Sequence, residues 1–569
     1  MAIFLGLLVL ASFLGHEVAG EQKWWQSMSL YQIYPRSYKD SDGDGIGDLK
    51  GITSRLQHLK DSNIDAFWLS PFYPSPMVDF GYDISNYTDV DPIFGTLDDF
   101  ADLVAHAHDL NISVIVDFVP NHSSDKHEWF EKSAKNIEPY SDYYVWKNGT
   151  VLANGTVVPP NNWVSVFGGP AWEWNDERQA YYLHQFAPQQ PDLNYNNDGL
   201  VQEIKNVMLF WLDKGVDGFR IDATPYIFED TRFLDEPLSG KTSDSANYDY
   251  LDHIYTRDLQ QLYDMMQQWR DLLDEYAKKD GMPRVTMVEA YTTDDLTMKY
   301  YKYGIDFPFN FWFIGNVDAR SSAADVKKIV DLWMSDMPPG ATPNWVAGNH
   351  DNARLTTRFG PQRAQAVTTM MLLLPGIGVT YYGDEIGMEN TFVPWKDTVD
   401  PSGIKAGKEG YATASRDPER TPFQWDNTTS AGFSTNAHTW LPVSENYLTV
   451  NLEAEKAASD SFYKLYQDIS ALRKWPALRE GNLTTRLLND NVFAFSRELP
   501  GERSVYAVIN FVDDEQLVDL TAAFDNVPTN LDIYRASLNS KLVRGDSVDP
   551  AKIRVPGSGV AIYVTPETA

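Results

Sequence analysis

In residues 218–223, GFRIDA, the alternation of side chains along a strand puts Arg220 and Asp222 on one face. A guanidinium beside a carboxylate favours the ionised form and suits the acid to act as a nucleophile. Taken alone, the two residues read first as an ordinary structural ion pair. Their company changes that reading. Asp117 and His122, Glu289, and His350 with Asp351 also stand at the ends of apolar runs. Acids placed only for structure would scatter over exposed faces and helix caps rather than gather at successive strand ends.

The runs that must position these residues are 29–38, 64–72, 112–119, 215–223, 284–291, 307–313, 344–351 and 376–385. Most are separated by helical patterns such as 98–110 and 258–279. Near-continuous apolar strands alternating with helices describe a parallel sheet covered on both faces. Eight of them predict an α/β chain, a closed (β/α)8 TIM barrel with its functional groups at the C-terminal rim. Residues 123–200 are too long for an ordinary connection and predict a subdomain inserted after the third strand, over the barrel mouth. Its aromatics Trp163, Phe167, Trp172 and Trp174 either form a small core of their own, the first choice, or stack on a ring of the ligand. Residues 387–440 form a second irregular stretch. The expected division is a leader at 1–20, a barrel of 21–122 and 201–488, the insert at 123–200, and an all-β sandwich at 489–569.

The chain has 80 acidic and 47 basic residues, a formal charge of -33, which would repel a nucleic acid backbone. Residues 3–14 form one apolar run, shorter than the ~20 residues a membrane span requires, and Val18-Ala19-Gly20 follow it. This predicts a cleaved secretory signal and a secreted protein; a short uncleaved anchor is the alternative, because no Lys or Arg precedes the run. No other run is long enough to span, and residues 560–569 lack the apolar tail of a lipid-anchor signal. Cysteine is absent, which rules out disulfides, thiol catalysis and thiolate metal sites. Sequons at Asn86, Asn111, Asn148, Asn154, Asn427 and Asn482 fit a secreted glycoprotein, whereas a seventh at Asn121 adjoins His122, where a glycan should not fit.

The blocks DFVPNH (117–122), QPDLNY (190–195), GFRIDA, VEA (288–290) and GNHD (348–351), in that order, resemble the α-amylase superfamily, glycoside hydrolase family thirteen. The resemblance covers nearly the whole chain after the leader. QPDLN and SRDPERTPFQW (415–425) are similar to its oligo-1,6-glucosidase and maltase branch, and within that to the secreted or gut-surface α-glucosidases of insects. A retaining mechanism is implied, in which Asp222 attacks the anomeric carbon and Glu289 protonates the departing oxygen, then deprotonates water. Asp351 would bind the hydroxyls of the distorted sugar, Arg220 would hold Asp222 ionised, and His122 and His350 would hydrogen-bond the same ring. The resemblance also implies that Tyr82, Asp83 and Arg420 hold the far hydroxyls of a terminal glucose, with an Asp83–Arg420 pair closing the pocket behind it. Asp117 would support the site from beneath. Ala223 stands where valine accompanies a preference for α-1,6 bonds in this branch, which implies α-1,4 preference here.

The loop 39–49, KDSDGDGIGDL, sets Asp40, Asp42, Asp44 and Asp48 around glycine turns, an oxygen-rich pattern suited to Ca2+. Gly51 stands where an EF-hand would carry its glutamate, so the loop is not one. The resemblance implies a structural calcium with the carbonyl of Ile46 as a further ligand; a solvated acidic turn is the alternative. No His or Cys cluster suits a catalytic transition metal.

Together these readings predict a secreted exo-acting α-glucosidase whose partner is a small oligosaccharide. A catalytically silent relative serving as receptor or transporter subunit is the alternative, and such relatives lose acids that this chain keeps. An endo-acting amylase is disfavoured by QPDLN, and a metal-dependent hydrolase by the missing ligands.

Overall fold

The computed structural model describes residues 23–567, so the expected leader lies outside the described residues. Eight strands occupy the eight apolar runs: β1 (Ser29–Ile33), β2 (Ala66–Leu69), β3 (Ser113–Phe118), β4 (Gly218–Ile221), β5 (Val285–Val288), β6 (Phe307–Pro308), β7 (Asn344–Val346) and β8 (Ile377–Tyr381). They pair in the order β6-β5-β4-β3-β2-β1-β8-β7. Every ladder is parallel, with Leu30 beside both Ala66 and Val379. Among the described residues β6 and β7 share no ladder, and Pro308 has no N–H to give one. A side chain closes that seam instead: Asn344 accepts from the Asn310 N–H at 2.8 Å and donates to the Pro308 carbonyl at 2.7 Å. The result is a (β/α)8 barrel.

Side-chain alternation divides each strand between two apolar clusters. Leu30, Ala66, Trp68, Ile115, Met287 and Val346 fill the barrel interior, while Tyr31, Phe67, Val116, Phe219 and Ile221 pack outward against the helices. Those helices carry strong start signals, such as Asp48 capping Leu49–Asp61 through the Gly51 N–H and a Thr96–Asp99 capping box on Leu97–Asp109. Continuing the inward register past the interior residues reaches Asp117 from Ile115, Glu289 from Met287 and His350 from Val346. Phe219 and Ile221 face outward, so Arg220 and Asp222 face in. The alternation that fills the barrel thus delivers the polar residues to its C-terminal rim.

The insert carries a three-stranded antiparallel sheet that includes Trp172–Asn175 and Ala180–Leu183. Trp163 and Trp172 are buried in its own core and stack on each other at 5.7 Å, with Phe233 against them. The stretch after β8, expected to be irregular, contains the helix Pro401–Ala414, broken at Gly407 by a φ of 69°. Lys405 on this helix donates to the Gly168 carbonyl at 2.7 Å and ties it to the insert.

The C-terminal unit is a six-stranded antiparallel sheet facing the two-stranded pair Gln516–Val518 and Ile553–Val555 across an apolar core. Its first strand, Asn482–Asn489, begins ahead of the expected boundary at 489. That strand is half exposed and lacks a clean apolar alternation, so only its pairing with Val492–Glu498 identifies it.

Among the described residues no helix is long and apolar enough to cross a membrane. The six Asn of the surface sequons are exposed, and Asn121 is buried.

Candidate active site

One guanidinium organises the rim. Arg220, 1% exposed in β4, donates from Nη1 to Asp117 at 2.9 Å and to Asp222 at 2.5 Å, and from Nη2 to Glu289 at 2.6 Å. The ring of Trp68 lies 5.2 Å beneath it. Three carboxylates from three strand ends therefore share one positive charge. The backbone fixes their heights, since the Asp222 N–H donates to Phe118 O and the Glu289 N–H to Ile221 O, each continuing a barrel ladder.

The expectation that Arg220 simply holds Asp222 ionised needs correction. Burial pushes the Asp222 carboxyl up, Arg220 opposes it, and the charges of Glu289 and Asp117 push it up again. The Asp222 carboxyl is thus set by the balance between burial, one guanidinium and two neighbouring carboxyls. Asp117, fully buried and raised to about 6 by desolvation, sits beneath Asp222 and Glu289 and accepts from Trp68 and Tyr82.

Asp351 completes the acids. Its Oδ1 takes Arg420 at 2.7 Å and Arg416 at 3.1 Å. Burial would raise its pKa, but His350, Arg416 and Arg420 outweigh that and hold it well below the usual carboxylate range. His350 is 2% exposed and burial lowers its pKa to about 3, so it is neutral. Gln32 contacts its Nδ1 at 2.8 Å and Tyr82 Oη its Nε2 at 2.7 Å. With the Gln32 amide donating, His350 carries its proton on Nε2, facing Tyr82 and Asp351. His122 is likewise buried and lowered to about 3 by desolvation, with Gln190 at 3.0 Å from Nε2.

Several of these groups line a cavity of about 370 Å³, which Arg220 and Asp117 themselves do not border. The sequence-derived residues Tyr82, His122, Asp222, Glu289, His350 and Asp351 all border it, and Ala223 stands beside Asp222 with a φ of 49°. Of the insert's aromatics Phe167 and Phe186 reach the cavity, while Trp163, Trp172 and Trp174 do not.

Asp83 and Arg420 do not border it, and the expected pair between them does not form. Asp83 is wholly buried, its carboxylate accepting from Ser75 Oγ and the N–H groups of Val78 and Asp79. Arg420 lies behind the wall, where Nε braces the His350 carbonyl at 2.7 Å and Nη2 holds Asp351. The cavity is bordered instead by Asp79 and Arg416, in contact at 3.0 Å. Arg416 also binds Asp400 at 2.5 Å, and Gln190 donates to Asp79 at 3.3 Å. The same sequence blocks hold both pairs: DFGYD contains Asp79 and Asp83, and SRDPER contains Arg416 and Arg420. The signal was present, but spacing alone does not say which member faces inward.

In the acidic loop the carboxylate oxygens of Asp40, Asp42 and Asp48 lie within 4.8 Å of one another. Asp44 stands outside this trio and caps the Ile46 N–H at 2.7 Å, its carboxyl raised by burial and then by repulsion from Asp42, Asp40 and Asp48. Among the described residues none of the four pairs with a Lys, Arg or His. Lys39, beside them, spends its ammonium on the carbonyls of Asp40 and Phe433. Gathered acidic oxygens without a protein cation fit a hard divalent ion, which takes oxygen ligands.

Residues 32–481 match the family model of the α-amylase catalytic domain. The chain is similar to an α-glucosidase of Apis mellifera, at 56% identity over 94% of each chain. It is also similar to maltase 1 of Drosophila virilis, at 50% identity over 96% of this chain and 88% of that one. Among solved structures it resembles XgtA, an α-glucosyl transfer enzyme, with a TM-score of 0.84 and 33% identity over 96% of this chain and 100% of that one. The barrel, the acids at its rim and these likenesses together make the chain a member of the α-amylase family and a glycoside hydrolase.

Proposed function

We propose that this hydrolase is a retaining, exo-acting α-glucosidase that releases α-1,4-linked glucose from the non-reducing ends of maltose, sucrose and short oligosaccharides. The observation that carries the reading is Arg220 holding Asp222 and Glu289 from two nitrogens of one guanidinium, at 2.5 and 2.6 Å. That arrangement favours the ~5–5.5 Å carboxyl spacing of retaining enzymes over the ~6.5–9.5 Å that admits an inverting water. In the first step an Asp222 oxygen bonds to the anomeric carbon while the departing oxygen takes the Glu289 proton. In the second, the Glu289 carboxylate takes a proton from water as the water oxygen replaces Asp222. Tyr82, His122, His350 and Asp351 would bind the ring hydroxyls. The Asp79–Arg416 pair in the cavity wall supports an exo mode, because a chain cannot run on past a salt-bridged wall.

Three further readings belong to the same proposal. The Asp40, Asp42 and Asp48 cluster, with Asp44 and the Ile46 carbonyl close by, would hold a structural Ca2+ that fastens the loop after β1. The chain is secreted, which accords with the six exposed sequons. It is glycosylated at some of those six sites and not at the buried Asn121.

Hydrolysis of maltose, isomaltose, sucrose and maltotetraose, with the first product followed by NMR, tests the activity. Glucose is expected from the non-reducing end, first as the α anomer, with transfer products at high maltose. Initial β-glucose, or cleavage at internal bonds, would overturn the reading.

A further inference from the structure

The backbone carbonyls of four rim residues are held by side-chain donors. Tyr73 Oη donates to Asp117 O at 2.5 Å, Tyr87 Oη to His122 O at 2.6 Å, Arg420 Nε to His350 O at 2.7 Å and Thr224 Oγ to Glu289 O at 2.7 Å. A buried carbonyl beyond the reach of a ladder needs such a donor. The Thr224 bond differs from the others in what it joins. Thr224 lies two residues after Asp222, so its hydroxyl ties the main chain of the acid to the segment that carries the nucleophile.

The Glu289 N–H already donates to Ile221 O at 2.9 Å. In a parallel ladder the next bond would run from the Ala223 N–H to the Glu289 carbonyl. Ala223 instead turns off at a φ of 49°, and Thr224 supplies both donors, its hydroxyl at 2.7 Å and its N–H at 3.4 Å. The hydroxyl is itself aimed. Thr224 and Tyr300 are both 0% exposed, and Tyr300 Oη, from the helix Asp294–Lys302, donates to Thr224 Oγ at 3.1 Å. Burial pushes the Tyr300 hydroxyl well above its ordinary range, so it stays a donor and leaves the threonine proton for Glu289. The Tyr300 ring packs in turn on Tyr263 of the helix Gln260–Ala277, at 5.0 Å between centroids.

We propose that Thr224 is a positioning residue for the acid: its hydroxyl sets the height of Glu289 against Asp222, and Tyr300 fixes the direction of that hydroxyl. The inference rests on the reading of Glu289 as the acid. A glutamate carboxyl hangs from its main chain by three rotatable bonds, so a small shift of the backbone is enlarged at the oxygen that must meet the departing group. A misplacement of about 1 Å can cost about a hundredfold in rate. Asp222 is held independently, by Arg220 and by its own N–H on Phe118 O, and should move less.

The test compares kcat/KM, which reports formation of the glycosyl-enzyme, on maltose and on p-nitrophenyl α-glucoside, whose leaving group needs no proton. Glu289→Gln in the same assay calibrates loss of the acid. Thr224→Val keeps the shape and removes the hydroxyl; it should lower the maltose value about 10- to 100-fold and the p-nitrophenyl value less than about threefold. Thr224→Ser should bring maltose back to within about threefold of the parent, and Tyr300→Phe should show the same bias at about three- to tenfold. A Thr224→Val loss that is equal on both substrates, or absent on both, overturns the positioning role while Glu289 keeps its own. A serine variant as impaired as the valine one also overturns it. Glu289→Gln without a bias against maltose defeats the acid assignment, and this inference with it. Should Thr224→Val fail to fold, Tyr300→Phe decides the matter by the same ratio.

Discussion

Asp79 and Arg416 meet at 3.0 Å in the cavity wall, while Asp83, four residues further along, is spent on the backbone of the turn that presents Asp79. The two aspartates should therefore fail differently. Asp79→Ala should raise the maltose KM and cut kcat/KM roughly 10- to 100-fold at an unchanged melting temperature, the loss of a charge-assisted contact. Asp83→Ala removes the acceptor of three donors and should lower stability by about 1–3 kcal/mol. Melting curves and kinetics on both variants check this; an Asp83 variant with raised KM and unchanged melting would reverse the assignment.

Asp222→Asn should abolish turnover and keep sugar binding, because it removes the nucleophile at almost constant volume. Glu289→Gln should instead keep measurable activity on substrates whose leaving group needs no proton. Rates on maltose and on p-nitrophenyl α-glucoside separate the two roles. Equal loss on both substrates in the Glu289 variant would show that it is not the acid.

Ala223 borders the cavity beside Asp222 at a φ of 49°, a left-handed conformation that β-branched residues resist. Ala223→Val should cost roughly 1–2 kcal/mol of stability. It should also shift the ratio of catalytic efficiencies from maltose towards isomaltose by about 1–3 kcal/mol. A parent that already prefers isomaltose, or a ratio untouched by the substitution, removes Ala223 as a determinant of linkage.

Saturating Ca2+ should raise the melting temperature and chelator lower it, the bound ion adding about 2.7 kcal/mol of stability at a hundred times the dissociation constant. Asp42→Ala tests the site most cleanly. Asp48 also caps a helix and Asp40 accepts from three backbone N–H groups, whereas Asp42 is exposed and accepts only from the Asp44 N–H. The variant should melt the same with and without chelator while its kcat is unchanged. Parent protein indifferent to chelator, with its metal content measured, would remove the calcium.

Burial raises Glu419 and Glu455 to about 8, and Asp192 and Asp384 to about 7. In the unfolded chain these groups titrate near pH ~4, so between 4 and 8 the folded state holds protons that the unfolded state has lost. Their contribution grows as pH falls through 8. His122, His127 and His350, lowered by burial to about 3, and His184, lowered to about 4, act the other way below pH ~6.5, where only the unfolded state takes up their protons. The melting temperature should rise from pH 8.5 to 6.5 and climb less steeply below that. A melting temperature that falls over the first interval contradicts the carboxyl shifts.

The sequence by itself determined the barrel and the identity of its inward acids, because both follow from short-range order. Near-continuous apolar runs require a strand buried on both faces, and a period of two then places Arg220 with Asp222 on one common face before any contact is known. Tertiary structure decided what depends on distant segments. Which aspartate of DFGYD and which arginine of SRDPER face the cavity is set by turns whose hydrogen bonds come from several parts of the chain, and such turns have no period to read. Closure between β6 and β7 rests on Asn344, a polar residue at the head of a strand that reads as nothing special in sequence. The titration of Asp222 was also out of reach. Adjacency to Arg220 suggests a lowered pKa, but burial and the approach of Glu289 act against it, and both are properties of the closed barrel alone.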